Sequence, residues 1–168
     1  MSAKAEAIRE ANELFEVWER ACEGERLFPV EPDVLAESVG IDVFAAELPK
    51  GVSGALVVRP HADPAIFVDA TDNPQRQRFT SAHELGHYVR RAGAGDQDFQ
   101  TIDYRDGRAS TGTDTEEIFA NTFAAALLMP EAHVRELHPK HETIAALASV
   151  FGVNYDAMRY RLLNLKLV

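Results

Sequence analysis

The 168-residue chain has 46% hydrophobic and 26% charged residues, an ordinary composition for a globular protein, which disfavours disorder. Its net charge of −10 repels phosphate backbones and so disfavours direct binding to nucleic acid. The single cysteine, Cys22, excludes an intrachain disulfide and a cysteine-rich zinc site. The N-terminus lacks an apolar signal-like segment, and no stretch approaches the roughly 18 apolar residues of a membrane span, so we predict a cytoplasmic protein that does not enter a membrane.

The first half of the chain predicts a helix followed by a small sheet, within one domain that spans residues 1–168. Apolar residues at helical spacing predict an amphipathic helix over residues 3–22, in an N-terminal helical segment 1–25. Pro32 can open a short helix that runs to about Ser38 and ends at Gly40. Three runs rich in β-branched and aromatic residues predict a small antiparallel sheet: IDVFAAEL, GALVVRP and AIFVDA.

From Asn73 onward the pattern becomes mostly helical. Asn73 as N-cap and Pro74 in the first turn predict a helix through NPQRQRFTSAHELGHYVRRA. A polar, glycine-rich loop over residues 93–113, with a short strand at FQTIDY, precedes an apolar helix that Pro130 stops. Three short helices follow: EAHVREL, HETIAALASVFG and NYDAMRYRLLNL. The order of elements predicts an α+β fold with a helical C-terminal cap over residues 140–168. The cap has the pattern of a helix-turn-helix, but the acidic charge favours a structural role.

The segment RFTSAHELGHYV places two of the chain's six histidines four residues apart. On a helix, His83 and His87 share one face and can each offer a ring nitrogen to one metal ion. Glu84 lies about 100° further round the helix, so it is not a third ligand of the same geometry, but it can act as the general base beside the metal. The alternative is a surface helix with two solvated histidines. The apolar residues around the pattern favour a core or cleft position.

A zinc peptidase site needs a third protein ligand. The other histidines that could serve are His133, His138 and His141, and several carboxylates are also available. Glu117 is the strongest carboxylate candidate, because it belongs to an apolar helix that should be buried and shares a face with Asn121. Glu116 and Glu117 could equally decorate the start of that helix, where negative charge is mildly favourable. Periodicity alone leaves the two interpretations open.

Two motifs together resemble the ImmA/IrrE family of zinc metallopeptidases: RFTSAHELGHYV, and EIFANTFAAALLMP, which begins at Glu117. The match covers roughly residues 30–168 and includes weaker similarity at PDVLAESVGIDV and LASVFGVNYDAMRYRLLNL. The resemblance implies a small sheet packed on a mostly helical, zincin-like domain of the gluzincin type. It also implies that His83, His87 and Glu117 hold Zn²⁺ and that Glu84 is the base. Family members typically cleave helix-turn-helix repressors that control phage, mobile elements or stress genes, so the resemblance implies a repressor as the protein substrate.

Two functions of different classes fit this interpretation. The first is a zinc endopeptidase that cleaves a helix-turn-helix transcriptional repressor. The alternative is a non-cleaving binding module of the same fold that sequesters a repressor or antitoxin. The complete set of ligands and base favours the enzyme, because a binder has no need of a base beside a metal.

Peptide hydrolysis also benefits from a donor that stabilises the oxyanion. The sequence leaves its identity open among seven residues: Tyr88, Tyr104, His133, His138, His141, Tyr160 and Arg161. Arg76 and Arg78 precede the histidines, and for both we predict solvation on the helix surface.

Overall fold

The structure is a computed structural model that describes residues 1–106 and 114–168. Its helices are α1 (Ala3–Cys22), α2 (Pro32–Ser38), α3 (Pro74–Gly93), α4 (Asp114–Leu128), α5 (Glu131–Leu137), α6 (Ile144–Phe151) and α7 (Tyr155–Asn164), with a short 3-10 helix at His138–Lys140. Its strands are β1 (Asp42–Ala46), β2 (Val52–Val58), β3 (Ala65–Asp69) and β4 (Phe99–Tyr104). The predicted α+β class is confirmed, as is the short strand at FQTIDY. Residues 107–113 of the predicted loop lie outside the described residues.

Local signals in the sequence explain where the helices begin and end. The side chain of Asn73 accepts a hydrogen bond from the backbone nitrogen of Arg76 at 2.8 Å and so caps the start of α3, as predicted. Thr143 and Asn154 cap α6 and α7 in the same way. Gly152, between these two helices, has φ of +64°, a left-handed conformation that favours glycine. The predicted helix–glycine–helix arrangement at the C-terminus is therefore confirmed.

The sheet is mixed, so the prediction of an antiparallel sheet is wrong for one strand pair. The strand order is β1-β3-β2-β4. Strand β2 is antiparallel to both β3 and β4, whereas β1 is parallel to β3. The chain reverses direction between β1 and β2 and again between β2 and β3. Because β4 occupies the free side of β2, β1 lies beside β3 instead, and the two run in the same direction.

Helix α3 lies between the sheet and α4, and this position determines the geometry of the site. One side of α3 packs on β2 and β3, and another packs along α4, which in turn packs on α1. The buried apolar cluster at these contacts includes Leu56, Ile66, Leu85 and Phe123. Across the described residues, no helix combines the length and the apolar character that crossing a membrane requires.

Candidate metal centre

The predicted histidines and glutamate of α3 face the interior. His83 is 3% exposed, His87 is 1% exposed and Glu84 is fully buried. The alternative of two solvated histidines on a surface helix is therefore wrong. The residues from Thr80 to His87 are all buried, because this stretch of α3 is covered by the sheet on one side and by α4 on the other.

Helix α4 brings Glu117 to the two histidines. The Glu117 carboxylate lies 3.0 Å from Nε2 of His87 and 3.4 Å from Nε2 of His83, and the two Nε2 atoms are 3.1 Å apart. Glu116, one residue earlier, points toward Arg91, whose Nε is 3.9 Å from its carboxylate. One step along a helix turns a side chain by about 100°, which is why only one of the two glutamates reaches the histidines.

The three groups fit a tetrahedral zinc ion. Ligand atoms at about 2.0–2.1 Å from zinc in a tetrahedron lie roughly 3.3 Å from one another, and the three separations observed between His83, His87 and Glu117 are of this size. Two imidazole nitrogens and a carboxylate are also a donor set that zinc accepts in catalytic sites. The arrangement therefore fits a metal ion with three protein ligands.

A hydrogen bond from α4 fixes the orientation of one histidine. Nδ1 of His83 donates to Oδ1 of Asn121 at 2.9 Å. In the neutral ring this leaves Nε2, the atom that faces Glu117, without a proton and able to bind a metal, whereas in the protonated ring Nε2 donates to Glu117. Asn121 lies one helical turn after Glu117, so the same face of α4 supplies both contacts to His83. Nδ1 of His87 is buried and has no hydrogen-bond partner among the described residues.

The Glu84 carboxylate points toward the sheet. The hydroxyl of Thr101 on β4 donates to Oε2 of Glu84 at 2.6 Å. The other oxygen, Oε1, is buried and accepts no hydrogen bond from the residues that the structure describes. Thr101 therefore holds the carboxylate through one oxygen and leaves the other available for chemistry.

Sequence reasoning missed Asp103 and Thr101. Asp103 is half-buried on β4, and its carboxylate lies within 4.8 Å of donor atoms of both His83 and Glu84. In a strand, alternate residues point to one face, so Thr101 and Asp103 both point toward α3. Two polar residues on the buried side of FQTIDY were the signal that could have identified them.

Burial and charge shift the acidities of these groups. Burial is the largest influence on His83 and acts to lower its pKa. The hydrogen bond to Glu117 and the charges of Glu84 and Asp103 outweigh it and raise the pKa of His83 to about 9. Burial, again the largest influence, raises the pKa of Glu84, against the opposing effect of the two histidines and of Thr101. A carboxylate with a raised pKa is a stronger base.

Three of the candidates for the oxyanion donor either make contacts outside the His–Glu cluster or are exposed. The ring of His133 packs against Phe15 and Phe28. Arg161 is 8% exposed and donates from Nε to the backbone carbonyl of Met129 at 2.9 Å, so it points inward rather than along a DNA-reading face. Tyr160, its neighbour, is 61% exposed.

The predicted solvation of the two arginines in α3 is wrong for Arg78. Its side chain is only 15% exposed and binds the carbonyl of Gly152 at 2.7 Å and the carboxylate of Glu31 at 3.2 Å. Arg76 is half-buried and donates to the hydroxyl of Ser53 at 3.1 Å. Both arginines therefore fasten α3 to other segments.

Comparison with known proteins identifies the family to which the chain belongs. The family model described as the IrrE N-terminal-like domain matches residues 36–163, a range that contains all four predicted site residues. The radiation response metalloprotease IrrE of Deinococcus radiodurans is 35% identical over 104 residues, which cover 58% of this chain and 30% of that protein. The chain thus matches less than a third of the length of that relative. The resemblance drawn from the two motifs is confirmed, and the chain belongs to the IrrE N-terminal-like family of metallopeptidases.

Proposed function

We propose that the chain is a zinc-dependent endopeptidase, with His83, His87 and Glu117 as metal ligands and Glu84 as general base. The convergence of two Nε2 atoms and one carboxylate, 3.0–3.4 Å apart, is the observation that carries this proposal. Family membership supports it, because the relative that bears the IrrE name is described as a metalloprotease.

The residues around the metal ligands would have separate roles in peptide hydrolysis. Zinc, when bound, supplies Lewis acidity that polarises a peptide carbonyl and makes water acidic enough to lose a proton near neutral pH. Oε1 of Glu84 can take that proton and return it to the nitrogen of the leaving amine. Thr101 keeps the Glu84 carboxylate in place through Oε2, and Asn121 keeps Nε2 of His83 directed toward Glu117.

For the substrate we propose a helix-turn-helix transcriptional repressor. This part of the proposal rests on the ImmA/IrrE resemblance, whose members typically cleave such regulators. A repressor encoded by a neighbouring gene is the first protein to test.

The experiment combines metal analysis with a cleavage assay. We expect about one zinc per chain after saturation, and cleavage of the repressor by the wild-type protein. Glu84→Gln should retain zinc but lose about 10²–10⁴-fold in rate, because a positioned base contributes that much. Glu47→Gln, the same change at an exposed position outside the site, is the matched control and should behave as wild type.

Three outcomes would change the assignment. Cleavage by Glu84→Gln at the wild-type rate would show that Glu84 is not the base. A chain that takes up no zinc would rule out the metal centre. Zinc-loaded wild-type protein that binds the repressor and leaves it intact would favour the non-cleaving binding module.

A further inference from the structure

A cavity lies beside the metal centre, where α1, α4, α5 and α7 meet. Its volume is about 640 Å³, and its lining includes Asn121, whose side chain also contacts His83. Pockets that bind small molecules typically measure about 300–1,000 Å³. The cavity is therefore large enough for a metabolite-sized ligand.

The lining of this cavity carries positive charge in a strongly acidic protein. Among the described residues, Lys4, Arg135, Arg161 and Lys166 line it, against one acidic residue, Glu131. That glutamate already pairs with Arg135 at 2.8 Å. Two of the chain's four lysines thus meet a buried arginine at one place, although the chain as a whole has a net charge of −10. A local field of this sign attracts anions.

The guanidinium of Arg161 offers the cavity two nitrogen atoms that can bind an anion. Its Nε is committed to the carbonyl of Met129 at 2.9 Å, while its two Nη atoms make no hydrogen bond with the described residues. Burial lowers the pKa of this guanidinium, yet an arginine side chain keeps its proton in proteins. A buried cation is costly unless it is paired, and a planar pair of Nη donors matches a phosphate or carboxylate in two-point geometry.

We propose that this cavity binds a small molecule that carries a phosphate group, with Arg161 making the central contact and Lys4 and Lys166 neutralising the remaining charge. Among the described residues, Lys4, Arg161 and Lys166 form no close ion pair, and Glu131, whose charge reaches Arg161, is already paired with Arg135. Three such cations suit a dianion better than a single carboxylate. The site does not depend on the proposed peptidase activity, because none of its cations belongs to the His–Glu cluster.

Isothermal titration calorimetry of the zinc-saturated chain tests the proposal, with inorganic phosphate, glycerol 3-phosphate and succinate as probes at one ionic strength. We expect both phosphates to bind, and the ester to bind more tightly because the cavity exceeds the size of a phosphate. Succinate binding as tightly as the ester would overturn the phosphate assignment. Absence of binding by all three probes would overturn the site.

Charge-matched variants separate the cavity from the metal, which can itself attract phosphate. Lys4→Gln with Lys166→Gln removes two cations of the cavity, and Lys50→Gln with Lys140→Gln removes the chain's two other lysines. The first pair should weaken phosphate binding by about tenfold or more, as expected for lost charge-assisted hydrogen bonds, and the second pair should not. Equal affinity in the two double variants would place phosphate elsewhere and overturn the proposal. Both cavity lysines are exposed, so this test avoids the folding risk of replacing Arg161.

Discussion

Replacing Gly54 by alanine should disturb the contact between β2 and the helix that carries the metal centre. A Cβ at this position would lie 2.3 Å from Cγ2 of Thr80 and 3.0 Å from the backbone oxygen of Phe67. Ordinary contacts between carbon atoms are about 3.5–4.0 Å, so the new methyl and Thr80 must separate by more than about 1 Å. Thr80 is only 1% exposed and β-branched, and Phe67 contributes backbone, so neither can simply turn away.

Overpacking of this kind costs about 1–3 kcal/mol, and the short distance places Gly54→Ala near the upper end. Thr80→Ser removes the methyl that clashes, at a cost of about 1 kcal/mol for one buried group. In the double variant, the added cost of Gly54→Ala should fall to roughly 1 kcal/mol, which corresponds to a coupling energy of about 1–2 kcal/mol between the two positions.

Urea unfolding of the zinc-saturated variants measures these free energies. Gly93→Ala is the matched control, because it lies at the end of the same helix and a Cβ there would meet no atom of the described residues within 4 Å beyond that helix's own backbone. It should be neutral or stabilising by up to about 1 kcal/mol. The reasoning is refuted if Gly54→Ala costs no more than Gly93→Ala, or if the effects of Gly54→Ala and Thr80→Ser simply add.

Two further predictions concern the metal ligands. Glu117→Ala should lose most of the zinc affinity and the zinc-dependent rise in melting temperature, since metal bound to the native state stabilises it. Glu116→Ala should do little, because a charge near a helix start contributes only about 0.3–1 kcal/mol. A zinc titration with a melting curve at each level compares the two, and equal losses would contradict the assignment. Asn121→Ala should weaken zinc binding about 10–100-fold by releasing Nδ1 of His83, and unchanged affinity would remove its orienting role.

The helices could be predicted because their signals are local. Caps such as Asn73, and stops such as Pro130 and Gly152, act within a few residues of the helix end, and the structure shows them in those roles. The pairing of the strands could not be predicted in this way. Whether β1 lies beside β2 or β3 depends on which edge β4 occupies, and β4 is separated from β2 by the whole of α3.

In the candidate site, too, the residues that are close in sequence could be predicted, and those that only the tertiary fold brings together could not. His83, Glu84 and His87 lie within one helical turn, so their spacing alone predicted that they act together. Glu117 needed the second motif, because periodicity could not exclude a role at the helix start. Asp103 approaches His83 and Glu84 only because β4 pairs with β2 and carries it over α3. The contact is a property of the tertiary fold.

Helix α3 supplies both the histidines and the base. Its distance from α4 therefore determines the geometry of the metal ligands, and its distance from the sheet determines the position of the base. The ligand set spans the gap to α4, where a Cβ on Gly86 would lie 3.1 Å from Cα of Ala120. The base lies at the contact with the sheet, where a Cβ on Gly54 would lie 2.3 Å from Cγ2 of Thr80 and where Thr101 of β4 donates to Glu84. A side chain at Gly86 would move α3 away from α4, and one at Gly54 would move α3 away from β2, by a few tenths of an ångström or more. Metal–ligand distances tolerate a change of only about 0.2 Å. Glycine at these two positions therefore follows from the spacing that the chemistry requires, and helix propensity, which disfavours Gly86 by about 1 kcal/mol, is outweighed there.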